Sequence, residues 1–142
     1  KELTDSWQDH GVKEGKDFAI LTNEITKAWS GMTTRQYKDY KWLKKQNLRD
    51  NMSTTELILN MLAETATKDI ANSTNPKGLE ENKKVAREGG SIAGDARKSI
   101  EAKTGKPVIT PKNAIDFAKL IDDVSNEVEN KKDGSKGKEK SK

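Results

Sequence analysis

Apolar residues recur at spacings of three and four along most of this chain. No stretch shows the sustained apolar/polar alternation of a half-buried strand, so the pattern predicts an all-α protein of five to six helices with no sheet. Leu3, Trp7 and Val12 outline a short amphipathic segment interrupted by Gly11 and Gly15. Phe18, Leu21, Ile25 and Ala28 mark a second helix that ends at Trp29-Ser30-Gly31. A third, from about Thr34 to Lys45 with Thr33 or Thr34 as N-cap, sets Tyr37, Tyr40 and Leu43 on one arc and Arg35, Lys38, Lys41 and Lys45 on the other.

Ser53-Thr54-Thr55-Glu56 has the form of a capping box, in which Ser and Glu satisfy two orphan backbone donors and fix where a helix begins. On the helix it starts, about 54–72, Leu57, Ile58, Leu59, Met61, Leu62, Ala63, Ala66 and Ile70 span roughly two thirds of the wheel. Glu56, Asn60, Glu64 and Thr67 are left on a narrow polar strip, which predicts the central, most buried helix. The segment 72–78, with Pro76 and Gly78, reads as a loop. The stripe Val85, Gly89, Ile92, Ala96, Ile100 then predicts one long helix over about 79–103, or two short ones hinged at Gly89-Gly90. Adjacent glycines there cost about 1.5–2 kcal/mol relative to Ala. Thr110 as N-cap and Pro111 at the first helical position open a final helix over about 111–128. Its Phe117, Ala118, Ile121, Val124 and Val128 need a partner surface, found either on the same chain or across a dimer. The expected organisation is one helical domain over residues 1–130 and a disordered Lys-rich tail over 131–142.

Composition narrows the chemistry. Only 31% of the 142 residues are hydrophobic and 5% aromatic, enough for a modest core smaller than the chain. The formal charge of +4 resides entirely in the tail, where six Lys face Asp133 and Glu139. The remainder is balanced, so any anion-binding surface must come from local clustering. There is no Cys, which removes disulfides, thiol nucleophiles and zinc ribbons and suits a cytoplasmic protein. No apolar run nears the ~20 residues of a membrane span. His10 is the only histidine and reads as a surface residue. The acids Glu80-Glu81, Asp95 and Asp122-Asp123 read as solvated side chains rather than converging ligands. The chain is therefore expected to be non-enzymatic, with no catalytic residues, metal, cofactor or small-molecule substrate.

Two clusters remain as binding candidates. On the basic helix Arg35, Lys38, Lys41 and Lys45 would line one face over about 15 Å, a length commensurate with several phosphates, and Lys44 beside them is a further candidate for nucleic-acid contact. Trp42 falls within that face, where its indole either stacks on an unpaired base or packs against the first helices. A helix-turn-helix fits badly, because the connection from Gln46 to Met52 is too long and the following helix too apolar to enter a groove. Arg49 is expected to fix the turn by pairing with Asp50 or Glu56. The second cluster, Lys83, Lys84, Arg87, Arg97 and Lys98, surrounds Gly90, Ala93 and Gly94, a small-residue stripe that suits helix packing and self-association.

Asp17-Phe18-Ala19-Ile20, Tyr37-Lys38 with Lys41, Leu43 and Lys44, Asn47-Leu48-Arg49-Asp50-Asn51-Met52, and Glu56-Leu57 with Met61-Leu62 carry a family resemblance. Weaker similarity continues through Gly89-Gly90 to Ile109-Thr110-Pro111. The string resembles the C-terminal half of the DNA-damage-inducible protein D family, antirepressor-like proteins of bacteria and prophages with a Bro-N domain in front. No Bro-N segment is present, so the chain reads as an excised C-terminal fragment. At Trp42 it departs from the family pattern, which has a small residue there, commonly Gly. The resemblance implies a bacterial, cytoplasmic role in the DNA-damage response or prophage control. The first expectation is an accessory domain that weakly binds single-stranded or distorted DNA. The alternative is an oligomerisation or protein-interaction domain gripping a repressor or recombination protein.

Overall fold

Capping chemistry sets the helix boundaries in the computed structural model, which describes residues 2–113 and 121–129. It places α1 at Glu2–Asp9, α2 at Lys16–Ser30, α3 at Thr34–Tyr40, α4 at Thr54–Thr74 and α5 at Gly78–Thr104, with a 3-10 turn at Arg49–Asn51. The described residues contain no strand, and the architecture is all-α. Both expected caps are formed. The Thr33 hydroxyl accepts from the Gln36 backbone N–H while Gln36 accepts from Thr33 N–H, and Ser53 and Glu56 reciprocate in the same way. Gly105, with φ of 70°, closes α5 in the left-handed region that only Gly enters without cost.

The chain divides into two units, Lys1–Pro111 and Lys112–Lys142. In the first, α5 packs along both α2 and α4, and α1 lies against α4. The core is built around Trp7, Leu21, Ile25, Trp29, Tyr37 and Leu59. Trp7 meets Phe18 at 5.3 Å between ring centroids, and Trp29 meets Tyr37 edge-on at 6.0 Å. Residues 111–113 are not helical, so the expected helix does not begin at Pro111, while in the second unit residues 121–129 are helical. Its middle, 114–120, and the expected tail lie outside the described residues.

The largest departure from the amphipathic pattern is α4, whose polar strip faces inward. Glu56, Leu59, Asn60, Ala63, Thr67 and Ala71 are its buried residues, while Ile58, Met61 and Leu62 are exposed. The polar atoms of Trp29 and Tyr37 need partners, and α4 supplies them: Trp29 Nε1–H donates to Asn60 Oδ1 at 3.1 Å, and Tyr37 donates to Glu56. Thr67 returns its own hydroxyl proton to Ala63 O at 2.8 Å, which leaves a small surface for the neighbouring helix.

That surface explains the glycines. α5 is unbroken through Gly89-Gly90, because both are close-packing positions and not hinges. A Cβ on Gly89 would lie 2.0 Å from Thr67 Oγ1 and 2.6 Å from Thr67 N; one on Gly90 would lie 2.5 Å from Ala28 Cβ, and one on Gly94 2.8 Å from Ala28 O. Ala93 is fully buried in the same seam. The stripe Gly90, Ala93, Gly94 therefore packs within the chain against α2, correcting its assignment to self-association. Arg97 is likewise structural, donating from Nε to Trp29 O at 2.8 Å and from a terminal nitrogen to both Glu101 oxygens at 3.1 Å. Gly89→Ala should lower stability by about 2–4 kcal/mol, since Thr67 backbone cannot yield as a flexible side chain would. A urea midpoint equal to that of the parent chain would contradict this close approach.

Candidate functional site

The expected basic helix stops at Tyr40, five residues early, because the backbone closes on itself there. Leu43 N–H donates to Lys38 O at 2.9 Å and Trp42 N–H to Asp39 O at 3.0 Å. This paired arrangement is a Schellman motif, with Lys41 as C-cap and Trp42 in the left-handed position after it, φ 62°. Leu43, next in line, is buried beneath the turn. Of the three residues expected to pack, Tyr37 and Leu43 do so, while Tyr40 is exposed.

Ending the helix redirects Lys41. Its side chain is 1% exposed and its ammonium group lies 3.2 Å from Oε1 of Glu56, whose side chain is equally buried. It also donates to Thr110 O at 2.9 Å, tying the return segment after α5 to the end of α3. Glu56 Oε2 accepts from the Tyr37 hydroxyl, and Glu56 Oε1 also accepts from Ser53 N–H at 2.7 Å. Lys41 is therefore a core residue, which removes it from the expected nucleic-acid face: a buried carboxylate requires a paired charge, and Lys41 is that charge. Burial, and after it the hydrogen bond to Glu56, holds the Tyr37 phenol far above its ordinary pKa of 10.0.

The remaining candidates stay together at the surface. Arg35, Lys38, Trp42, Lys44 and Lys45 line a groove of about 820 Å³, joined by Asn23, Thr34, Asp39 and Leu43. Arg35 is 86% exposed and lies 3.9 Å from Asp39, a loose pair that leaves its charge available. Lys44 and Lys45 are exposed and Lys38 half-buried. The indole of Trp42 is 76% exposed, so it does not pack against the first helices. Two groups that the sequence pattern left unused also line the groove: Asn23, whose Oδ1 accepts from Thr34 N–H at 3.0 Å and anchors the start of α3, and the Asp39 carboxylate. Only folding places α2 beside α3, so spacing alone carried no signal for Asn23.

The neighbouring connection is structural. Arg49 pairs with Glu64, at 2.6 Å, and not with Asp50 or Glu56. Asn47 Oδ1 accepts from Asp50 N–H at 3.2 Å and its backbone oxygen accepts from Asn51 Nδ2 at 2.8 Å. In the second basic cluster, Arg87 meets Glu24 at 3.3 Å and Lys83 meets Glu80 at 3.8 Å, which dilutes its charge. Among the described residues no group of three or more His, Asp or Glu could hold a metal ion, and no helix is long and apolar enough to cross a membrane.

Two outcomes follow for this site. Folding favours the protonated form of Tyr37, so its contribution to stability is complete below pH 10 and is lost as pH rises further towards the folded-state value. In an alkaline absorbance titration, one of the two tyrosines should ionise only as the chain unfolds, and Tyr37→Phe should flatten the alkaline fall in stability. Trp42→Gly should raise stability by about 1 kcal/mol in urea unfolding, because it removes left-handed strain from a side chain that buries little. A loss of stability would mean that the indole supports the fold.

Compared with known proteins, the chain matches the family model of the DinD C-terminal domain over residues 1–120. No curated protein and no solved structure matches it.

Proposed function

On the premise that the chain belongs to the DinD C-terminal domain family, a family of non-catalytic accessory domains, we propose that it binds single-stranded or distorted DNA through the groove around Trp42. The observation that carries this reading is Trp42 itself. A left-handed backbone costs a non-glycine residue about 1–2 kcal/mol, and an indole 76% exposed returns almost none of it through burial. The fold gains nothing from tryptophan at this position, whereas a ligand with a flat face does.

The groove supplies what such a ligand needs. Arg35, Lys38, Lys44 and Lys45 neutralise successive phosphates, and Trp42 stacks on a base that is free of its partner strand. Duplex readout is disfavoured, because the connection from α3 to α4 is long and the outward face of α4 carries Ile58, Met61 and Leu62. In the cell the domain would act beside the DNA-damage response or prophage control of a bacterium, in the cytoplasm, with a repressor or recombination protein as its further partner.

The test is a fluorescence titration with a labelled single strand and a duplex across a salt series. Trp7 and Trp29 are buried, so stacking should quench Trp42 emission selectively. The triple variant Arg35→Ala, Lys38→Ala, Lys45→Ala should reduce the single-strand salt slope by about 2. Trp42→Gly should weaken binding by about 5- to 100-fold while remaining folded. Absence of binding to either strand at low salt would end the proposal.

A further inference from the structure

A second, smaller cavity of about 260 Å³ adjoins the Trp42 groove, and Thr34 and Lys38 line both. Lys38 enters no ion pair among the described residues, so its charge is available where the two spaces meet. Leu48 and Met52, from the connection between α3 and α4, and Ile25 of α2 give the cavity apolar walls. The paired Arg49 and Glu64 line it as well, with their charges already matched. Its other polar groups include two that are deeply buried: Thr26 is 5% and Asn60 7% exposed. Thr26 Oγ1 donates to Thr22 O at 3.0 Å and keeps its lone pairs to accept. Asn60 Oδ1 is taken by Trp29, but its Nδ2 reaches only Glu64, at 3.5 Å, longer than an ordinary hydrogen bond. An acceptor and a donor with capacity left over, set between apolar walls, complement the edge and faces of a heterocyclic base.

We infer that this cavity receives one nucleobase turned out of the strand in the Trp42 groove, an inference that rests on the reading of that groove as a nucleic-acid surface. The volume falls below the roughly 300–1,000 Å³ of sites for drug-sized ligands, which suits a single ring system. A base that leaves its stack needs apolar contact on its faces and hydrogen bonds on its edge, and the cavity offers both. The phosphate beside it then falls to Lys38. An apolar side chain from a protein partner would leave Thr26 and Asn60 unmatched, a cost that a base avoids. Extrusion is least costly where pairing is already absent, so the cavity reinforces selection of single-stranded or distorted DNA over duplex.

The test places 2-aminopurine, a base whose emission rises when it is unstacked, at each position in turn of a short thymine strand, and follows binding separately through the anisotropy of an end label. At one position emission should rise on binding, because the base enters a cavity with aliphatic walls, whereas contact with Trp42 quenches it. Thr22→Phe, at an exposed position lining the cavity, should abolish that rise and weaken strand binding about 5- to 50-fold with an unchanged urea midpoint. Trp42→Gly should keep the rise at saturating protein. Strand binding with no brightened position, or a rise that survives Thr22→Phe, overturns the inference and leaves the groove reading intact. If no strand binds, the groove reading fails, and the anisotropy of free 2-aminopurine deoxyribonucleoside monophosphate decides the cavity. An increase that Thr22→Phe removes keeps a nucleobase site but overturns the strand as its source; no increase overturns the site altogether.

Discussion

One buried carboxylate organises this domain. Glu56 completes the cap that starts α4, accepts the Tyr37 hydroxyl from α3 and neutralises Lys41, whose remaining donor capacity reaches the segment behind α5. Removing two charges from water is costly, and the cost is offset only when the geometry satisfies the lone pairs and protons that remain. Here a tyrosine, a backbone N–H and a carbonyl do so. The result joins three elements distant in sequence and leaves few alternative ways to pack them. It also decides where the surface groove forms, since Lys41 is the residue immediately before Trp42. With its neighbour locked inward, Trp42 has no route but outward.

The rest of the packing follows from economy of volume. Trp7, Trp29 and Tyr37 fill the core, so the helices around them approach on small side chains: Ala63, Thr67 and Ala71 on α4, and the glycines with Ala86 and Ala93 on α5. Where Gly89 meets Thr67, backbone lies almost on backbone. Glycines that weaken an isolated helix are stabilising in this setting, because the van der Waals contact they permit extends along α5 on two sides.

Much of this was legible in the chain, for local reasons. The capping box at Ser53 depends on residues three apart, and the start of α4 followed from it directly, while at the start of α3 the pattern narrowed the N-cap to Thr33 or Thr34. Helical periodicity located α2, α4 and α5. Three features were hidden because they depend on contacts distant in sequence. A helical wheel assumes that polar residues face water, so it could not show that Glu56, Asn60 and Thr67 turn inward to serve the core. It placed Lys41 with the other cations because it assumed that α3 continued, whereas the turn at Trp42 ends the helix first. Glycines at close spacing predict close packing but not which neighbour is packed, and the α2 surface at Ala28 proved to be the answer. At the candidate groove, the cations flanking Trp42 were readable from charge spacing, while Asn23 came into view only when α2 was laid beside α3.

The turn at Trp42 has a consequence for how such a domain can change over time. Its left-handed bend is enforced by two backbone hydrogen bonds and by Leu43 beneath it, not by the side chain it carries. That position is therefore open to mutational drift: a lineage could exchange the indole for a hydrogen atom without repacking anything. The proposed ligand contact and the architecture would thus be inherited on separate terms, and a relative lacking the ring would keep the scaffold without the indole.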